Sequence, residues 1–350
     1  MKALVIRLSS LGDVILATSF LENLPSGVEV DWMIAREFAF VLKGHPRIRK
    51  LWVYDKRSGL RGWLDLCREV HAEGHSVRID LHRTLRSRLA FGWFRLRDLL
   101  GTGTPVRHLS ISKQRLRNSA LLVLKGVCPR SWLPEPYWKR FARVATRVAF
   151  PMTGATAPNL NPPSCSALLP PSGREEEVLS RYGLQTKHFV AVMPASRWSS
   201  KEWSVAGYVE VLSALFRKHG WTSLVVGRKA DQPCVELVQR LKVAGVPVAE
   251  ALEEPDFGNT AVLLKHSVSY LGSDTGLAHL AEAVGTPSRV IFGPTRPELG
   301  FGPWRPDSRA VSLPVVCAPC SKDGRHCYRI ADPYRCMRGL GAERVEATFR

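Results

Sequence analysis

Ser267–Phe292, SVSYLGSDTGLAHLAEAVGTPSRVIF, decides the fold. An apolar run at Ser267–Leu271 reads as a buried strand. Gly272-Ser273-Asp274-Thr275-Gly276 follows as a polar loop, and Thr275–Val284 carries helical spacing. Gly285 and Pro287 end that helix, and Arg289–Phe292 reads as a second strand. Strand, helix and strand in that order give two parallel strands joined by a right-handed crossover.

The same alternation extends outward on both sides. Upstream, Phe189–Met193 and Thr222–Val226 predict strands, followed by a short one at Val246–Val248. Val205–His219, Asp231–Val243 and Asp256–Lys265 predict the helices between them. The front of the chain repeats the pattern: strands at Ala3–Ile6, Val28–Ile34, Leu51–Tyr54 and Val77–Leu81, helices at Val14–Leu24 and Leu60–Ala72. A basic helix follows from Thr84, and helical spacing recurs over Lys113–Lys125. Between the halves, RVAFPMTGATAPNLNPPSCSALLPPS (147–172) has no period and reads as a linker. The expectation is α/β: an N-terminal unit over 1–155, a linker over 156–174, and a C-terminal unit over 175–350. Each is a doubly wound parallel sheet, with ligands bound where strands end.

Composition narrows the class. The 350 residues are 45% hydrophobic and 23% charged, an ordinary globular mixture that excludes wholesale disorder. Arg7 and Asp13 interrupt the apolar N-terminus, and no long uncharged apolar run suggests a spanning helix. A cytoplasmic location is expected, with the eight cysteines mostly thiols. The net charge of +19 calls for an acidic partner: nucleic acid, an anionic membrane face or a phosphorylated substrate. Residues 78–117 concentrate it, with ten Lys/Arg against Asp80 and Asp98. A solvated helix face is the ordinary origin of such a run. Nucleic acid is the rival partner, but no nucleic-acid module is recognisable.

Four strand-to-helix loops carry the chemistry. In Ser9-Ser10-Leu11-Gly12-Asp13, Asp13 stands at a helix start, either as a cap or as a general base for an incoming hydroxyl. No Gly-x-Gly-x-x-Gly occurs there, so a dinucleotide fingerprint is not supported. In Gly272–His279, Ser273 or Asp274 can cap, and the amides of Thr275, Gly276 and Leu277 offer an anion site suited to a diphosphate. His279 lies about one turn inside that helix. A single Asp-Thr-Gly without a paired carboxylate does not make an aspartic protease. In Pro194–Trp203, Ser196, Arg197 and Lys201 can clamp phosphate oxygens. In Gly227–Asp231, Asp231 is a ribose ligand or, more simply, a helix cap.

LSSLGD at 8–13, DLHRTLRS at 80–87, MPASRWSSKEW at 193–203 and SDTGLAHLAEAVGTPSRVIFGPT at 273–295 together resemble glycosyltransferase family nine, the ADP-heptose:lipopolysaccharide heptosyltransferases. The resemblance covers nearly the whole chain in order. It implies the GT-B fold, two Rossmann-like domains facing across a cleft, and inverting transfer without an essential metal or cofactor. By that resemblance Asp13 is the base and Lys201 lies near the donor phosphates. Ser196, Arg197, Asp274, Thr275, Gly276, Leu277 and His279 bind the ADP-sugar donor, with Asp231 the nearest match to a ribose ligand. Ser10, Arg83, Arg86 and Arg88 are the candidates for a phosphorylated lipid A–core acceptor. The implied location is peripheral, on the anionic inner face of the inner membrane, with no nucleic acid expected. A related transferase with another NDP-sugar is the alternative. Cys317, Cys320, Cys327 and Cys336 are compatible with a small zinc site, but free thiols or a disulfide suit that spacing better.

Overall fold

The computed structural model describes residues 1–101, 106–149, 159–171 and 173–349. Two compact units emerge: Met1–Lys113 with Tyr137–Leu168, and Gln114–Pro136 with Leu169–Arg350. A single break along the chain does not foresee that Gln114–Pro136 groups with the second unit. Part of the expected linker, 156–158 and 172, lies outside the described residues.

In the first unit the order is β1 (Lys2–Ile6), α1 (Leu11–Glu22), β2 (Glu29–Ala35), β3 (Ile48–Tyr54), α2 (Gly59–Ala72), β4 (Val77–Asp80), α3 (Leu85–Leu100) and β5 (Arg107–Ser110). The helix α4 (Arg115–Leu124) belongs to the second unit, and α5 (Tyr137–Ala149) returns to the first. The sheet runs β3, β2, β1, β4, β5 with every neighbouring pair parallel. Central β1 is buried along almost its whole length, which explains its unbroken apolar sequence. Beneath it, α1 buries eight consecutive residues, Val14–Leu21. Part of that cover is α5, whose Phe141, Ala142, Val144, Ala145 and Val148 are buried. The Ser19 hydroxyl of α1 donates to the Trp138 carbonyl of α5 at 2.8 Å.

The second unit continues with α6 (Arg174–Arg181), β6 (Phe189–Met193), α7 (Val205–His219), β7 (Thr222–Gly227), α8 (Gln232–Val243), β8 (Val248–Leu252), α9 (Phe257–His266), β9 (Ser269–Ser273), α10 (Gly276–Ala283), β10 (Ser288–Phe292), β11 (Arg309–Ser312), α11 (Arg335–Arg338) and α12 (Ala342–Glu346). Its parallel sheet runs β11, β10, β9, β6, β7, β8. The strand expected at Val246–Val248 begins only at Val248. Gly245 is left-handed at φ +67°, and the Val246 N–H still bonds to the Leu241 carbonyl of α8, so helix termination consumes those residues.

Both sheets are doubly wound and parallel, as the alternation implies, and each offers a carboxyl edge where loops from adjacent strands meet. On the first, Ile6 pairs with Asp80, bringing the loops after β1 and β4 together. On the second, Met193 pairs with Gly272, joining the loops after β6 and β9. Gly272 is required there: a Cβ would stand 2.7 Å from the Met193 carbonyl and 2.5 Å from the Tyr270 hydroxyl.

Candidate functional site

In the first unit the chemistry gathers at the end of β1. Asp13 is the third residue of α1, and its carboxylate accepts from the Ser10 N–H at 3.3 Å and the Ser10 hydroxyl at 2.9 Å. It therefore does cap the helix start, but it has a stronger partner. The buried Arg7 guanidinium lies 2.7 Å from the same carboxylate oxygen. Arg7 also donates to the Leu81 carbonyl at 2.7 Å and sits over the Phe141 ring at 5.6 Å, so strand, loop and helix all fix its position. Burial by itself would raise the Asp13 carboxyl. Arg7 and the Ser10 bonds outweigh it and hold the group below the usual carboxylate range.

Asp80 organises the neighbouring loop. One carboxylate oxygen accepts from the His82 and Arg83 N–H groups at 2.9 and 2.7 Å, the other from the Ser87 hydroxyl at 3.0 Å. That turn holds Arg83 in the left-handed region at φ +49°, a conformation non-glycine residues rarely adopt. It also sets His82 among charges. Burial, then Arg7, push the imidazole down to about 4, against the opposing pull of Asp13, with Lys113 and Arg86 adding to the depression. His82 is thus neutral at physiological pH, and its Nδ1 is buried with no hydrogen-bond partner. The three candidate arginines separate. Arg83 donates to the Ile111 carbonyl at 3.0 Å, Arg86 lies over the Tyr54 ring at 5.0 Å, and Arg88 is exposed on α3.

In the second unit the Lys201 ammonium is 2.7 Å from the Asp274 carboxylate and also donates to the Asp274 carbonyl at 3.3 Å. Both side chains are largely buried. The Thr295 hydroxyl donates to the same carboxylate oxygen at 3.1 Å, and Ser273 donates to the Lys201 carbonyl at 2.7 Å. Neither Ser273 nor Asp274 caps α10, contrary to expectation, because Lys201 engages both. Thr275 occupies the cap position without a side-chain capping bond, and its hydroxyl lies 3.3 Å from that of Tyr270. The first amides of α10 thus retain their capacity for an external anion. His279, buried in α10, stacks on Trp304 at 5.9 Å. Glu282 fixes the backbone of that tryptophan by accepting its main-chain N–H at 2.7 Å; burial raises the Glu282 carboxyl above its ordinary value.

A family model described as glycosyltransferase family 9 (heptosyltransferase) matches residues 158–329. The chain is a homologue of the glycosyltransferase family 9 heptosyltransferases. It is 27% identical to lipopolysaccharide heptosyltransferase 1 of Pseudomonas aeruginosa over 92% of this chain and 86% of that protein. Two solved structures share its fold at 16% identity: Escherichia coli ADP-heptose lps heptosyltransferase II (TM-score 0.71, 100% of this chain and 97% of that one) and E. coli heptosyltransferase WaaC with ADP (TM-score 0.69, 100% and 99%). The GT-B fold and the glycosyltransferase class expected from the sequence both hold.

In this glycosyltransferase the remaining predicted residues distribute as follows. Ser196 is half-buried after β6, its N–H donating to the Glu202 carboxylate at 2.9 Å. Arg197 is exposed and lies over Trp198 at 5.2 Å, on the same ring that Arg325 covers at 4.5 Å. Gly276 and Leu277 open α10. Asp231 is not a side-chain cap, a correction to the simpler expectation. Arg228 takes its carboxylate instead, through bonds of 3.1 and 2.7 Å. The zinc alternative is not assembled. Cys317, Cys320, Cys327 and Cys336 form no disulfide, and no group of three or more metal-ligating side chains could hold an ion among the described residues.

Sequence reasoning missed Arg7, His82, Thr295 and Gly324. Arg7 has the clearest signal: an arginine closing a buried apolar strand needs a partner, and Asp13 is six residues on. Gly324, left-handed at φ +69°, packs so closely that a Cβ would meet Lys201 Cε at 3.0 Å. The Ser200 hydroxyl donates to its carbonyl, so the cysteine-bearing C-terminal segment braces the lysine turn.

Proposed function

We propose that this glycosyltransferase transfers heptose from ADP-heptose to a lipopolysaccharide inner-core acceptor. The transfer is a single displacement that inverts the anomeric centre and uses no metal. An acceptor hydroxyl oxygen bonds to the anomeric carbon as the bond from that carbon to the ADP phosphate oxygen breaks. The hydroxyl proton passes to Asp13, and ADP leaves with the bond's electron pair. Lys201 and the α10 amides meet the charge that gathers on the diphosphate. The acceptor is lipid-borne and phosphorylated, which gives the basic surface of the first unit its purpose and the enzyme a peripheral place on the membrane.

The observation that carries this reading is Lys201. Asp274, its carboxylate braced by the Thr295 hydroxyl, holds the ammonium beside the uncapped start of α10, as a site for a diphosphate leaving group requires. The names of the similar heptosyltransferases support the sugar and the acceptor class. Incubation with ADP-heptose and truncated core acceptors should release ADP only when donor and acceptor are both present. Release with a different nucleotide sugar, and none with ADP-heptose, overturns the donor assignment.

A further inference from the structure

The helix α3 presents two apolar faces. Ser87, Ala90, Phe91 and Phe94 are buried in the first unit. On the opposite side Leu85, Leu89, Leu96, Leu99 and Leu100 are between 54% and 82% exposed. At the helical repeat these five leucines fall within an arc of about 100°. A row of five solvated leucines exceeds the scattered apolar exposure of an ordinary surface. On neighbouring α2, Leu60 is 71% exposed, close to where Arg86 of α3 reaches over Trp63.

Arginines border the stripe on both sides: Arg86 and Arg97 on one, Arg88 and Arg95 on the other, all exposed. Asp98, the one acidic residue of α3, is turned to the buried Arg78 at 2.5 Å, so no carboxylate faces outward with the leucines. Apolar side chains flanked by guanidinium groups are what an interfacial helix needs. The leucines enter the acyl boundary while the arginines remain among anionic headgroups.

We infer that the leucine stripe of α3 is the surface by which this enzyme docks on an anionic lipid bilayer. Charge decides between a bilayer and a second copy of the chain: two such stripes face to face would set eight arginines against one another without an intervening carboxylate. A bilayer rich in phosphatidylglycerol supplies the missing negative charge. The inference rests on the reading of a lipid-borne acceptor for its purpose but not for its test.

The test uses the full chain and vesicles of phosphatidylethanolamine with phosphatidylglycerol, against vesicles of phosphatidylcholine alone. Wild type is expected to float with the anionic vesicles, less so as salt is raised, and not with the neutral ones. The Leu89→Gln/Leu96→Gln/Leu99→Gln variant changes only exposed positions. It should keep its melting temperature and its ADP release on a deacylated, water-soluble acceptor, while binding anionic vesicles at least about tenfold more weakly. Arg95→Gln/Arg97→Gln should weaken vesicle binding and reduce its salt dependence. Wild-type failure to bind anionic vesicles, equal binding to both vesicle types, or wild-type binding by the leucine variant overturns the proposal. So does a wild-type dimer that the leucine variant turns monomeric, since a second copy would then cover the stripe. Vesicle binding without sugar transfer from any donor overturns the proposed reaction and leaves the docking surface standing.

Discussion

Arg7 and Asp13 should behave as one unit in a double-mutant cycle. Arg7→Met keeps the packed stem but removes two charge-assisted hydrogen bonds, to Asp13 and to the Leu81 carbonyl, and the contact with Phe141. Deleting one partner of a buried ion pair costs about 3–5 kcal/mol. Asp13 keeps 22% of its side-chain surface, which places the expected loss at the lower end, about 3 kcal/mol. Asp13→Asn leaves Arg7 bonded to Leu81 and should cost about 2 kcal/mol. Because each single change already forfeits the shared contact, the double variant should lose less than the sum, by about 1–2 kcal/mol. Urea denaturation followed by tryptophan fluorescence measures all four forms. A second readout separates electrostatics from packing. With Arg7 gone, the raising effect of burial on Asp13 is opposed chiefly by Ser10, so the carboxyl titrates higher. The acid limb of the kcat/KM profile should then move to higher pH in Arg7→Met. Strictly additive losses together with an unmoved limb would refute the pairing as the control on this carboxylate.

Other consequences are as direct. Lys201→Met should lower kcat by roughly 10²–10³, the usual cost of removing one donor to developing negative charge, and should also lower stability by about 3 kcal/mol because it strands the buried Asp274 carboxylate; steady-state ADP release and urea denaturation check the two effects separately. His82 has a folded pKa near 4, below its unfolded value, so the unfolded state binds the extra proton in between. Its contribution is whole above about pH 6.5 and is lost as pH falls toward 4, by up to about 1.4 kcal/mol per unit. The stability advantage of wild type over His82→Gln should therefore shrink on acidification across that window, and a pH-independent difference would contradict the burial of the imidazole. Gly272→Ala should destabilise by about 1–3 kcal/mol, since the new methyl meets the Met193 carbonyl and the Tyr270 hydroxyl. An unchanged thermal midpoint would deny that close approach.

The sequence makes the doubly wound architecture legible because parallel strands buried on both faces are apolar throughout. The strands β1 and β6 stand out for that reason. The strands it hides are edges. Arg107–Ser110 and Arg309–Ser312 lie at the ends of their sheets, keep polar residues, and give neither a continuous apolar run nor a clean alternation. The helix α5 was readable in principle, since Phe141, Val144, Ala145 and Val148 recur at helical spacing. The aperiodic residues that follow from 150 obscure it. Among the candidate residues of each unit, the loop positions of Asp13, Lys201 and Asp274 follow from strand-to-helix grammar, whereas their partners do not. Lys201 and Asp274 are 73 residues apart and meet only because β6 and β9 are neighbours. Asp231 shows the converse error, a residue of good capping type whose nearest cation, three residues away, takes the carboxylate first.

The environment of Asp13 also constrains the order of events in the proposed reaction. A carboxylate held below its ordinary range is certain to be ionised at neutral pH, but it is a weak base. A sugar hydroxyl is far too weak an acid to surrender its proton to such a group at the outset. The proton can pass only after the hydroxyl oxygen has begun to bond to an anomeric carbon that is already electron-poor. In the proposed reaction such a base favours bond cleavage to the diphosphate that is well advanced when the proton moves, with oxocarbenium character at the anomeric carbon like that of glycoside hydrolysis. On that proposal the barrier depends more on how well Lys201 and the α10 amides accept the leaving charge than on the basicity of Asp13. Isotope effects test this order. Deuterium at the anomeric carbon should slow transfer measurably, while deuterated water should have little effect on the chemical step. A large solvent effect with a negligible anomeric one would place proton transfer first and make Arg7 an obstacle to catalysis.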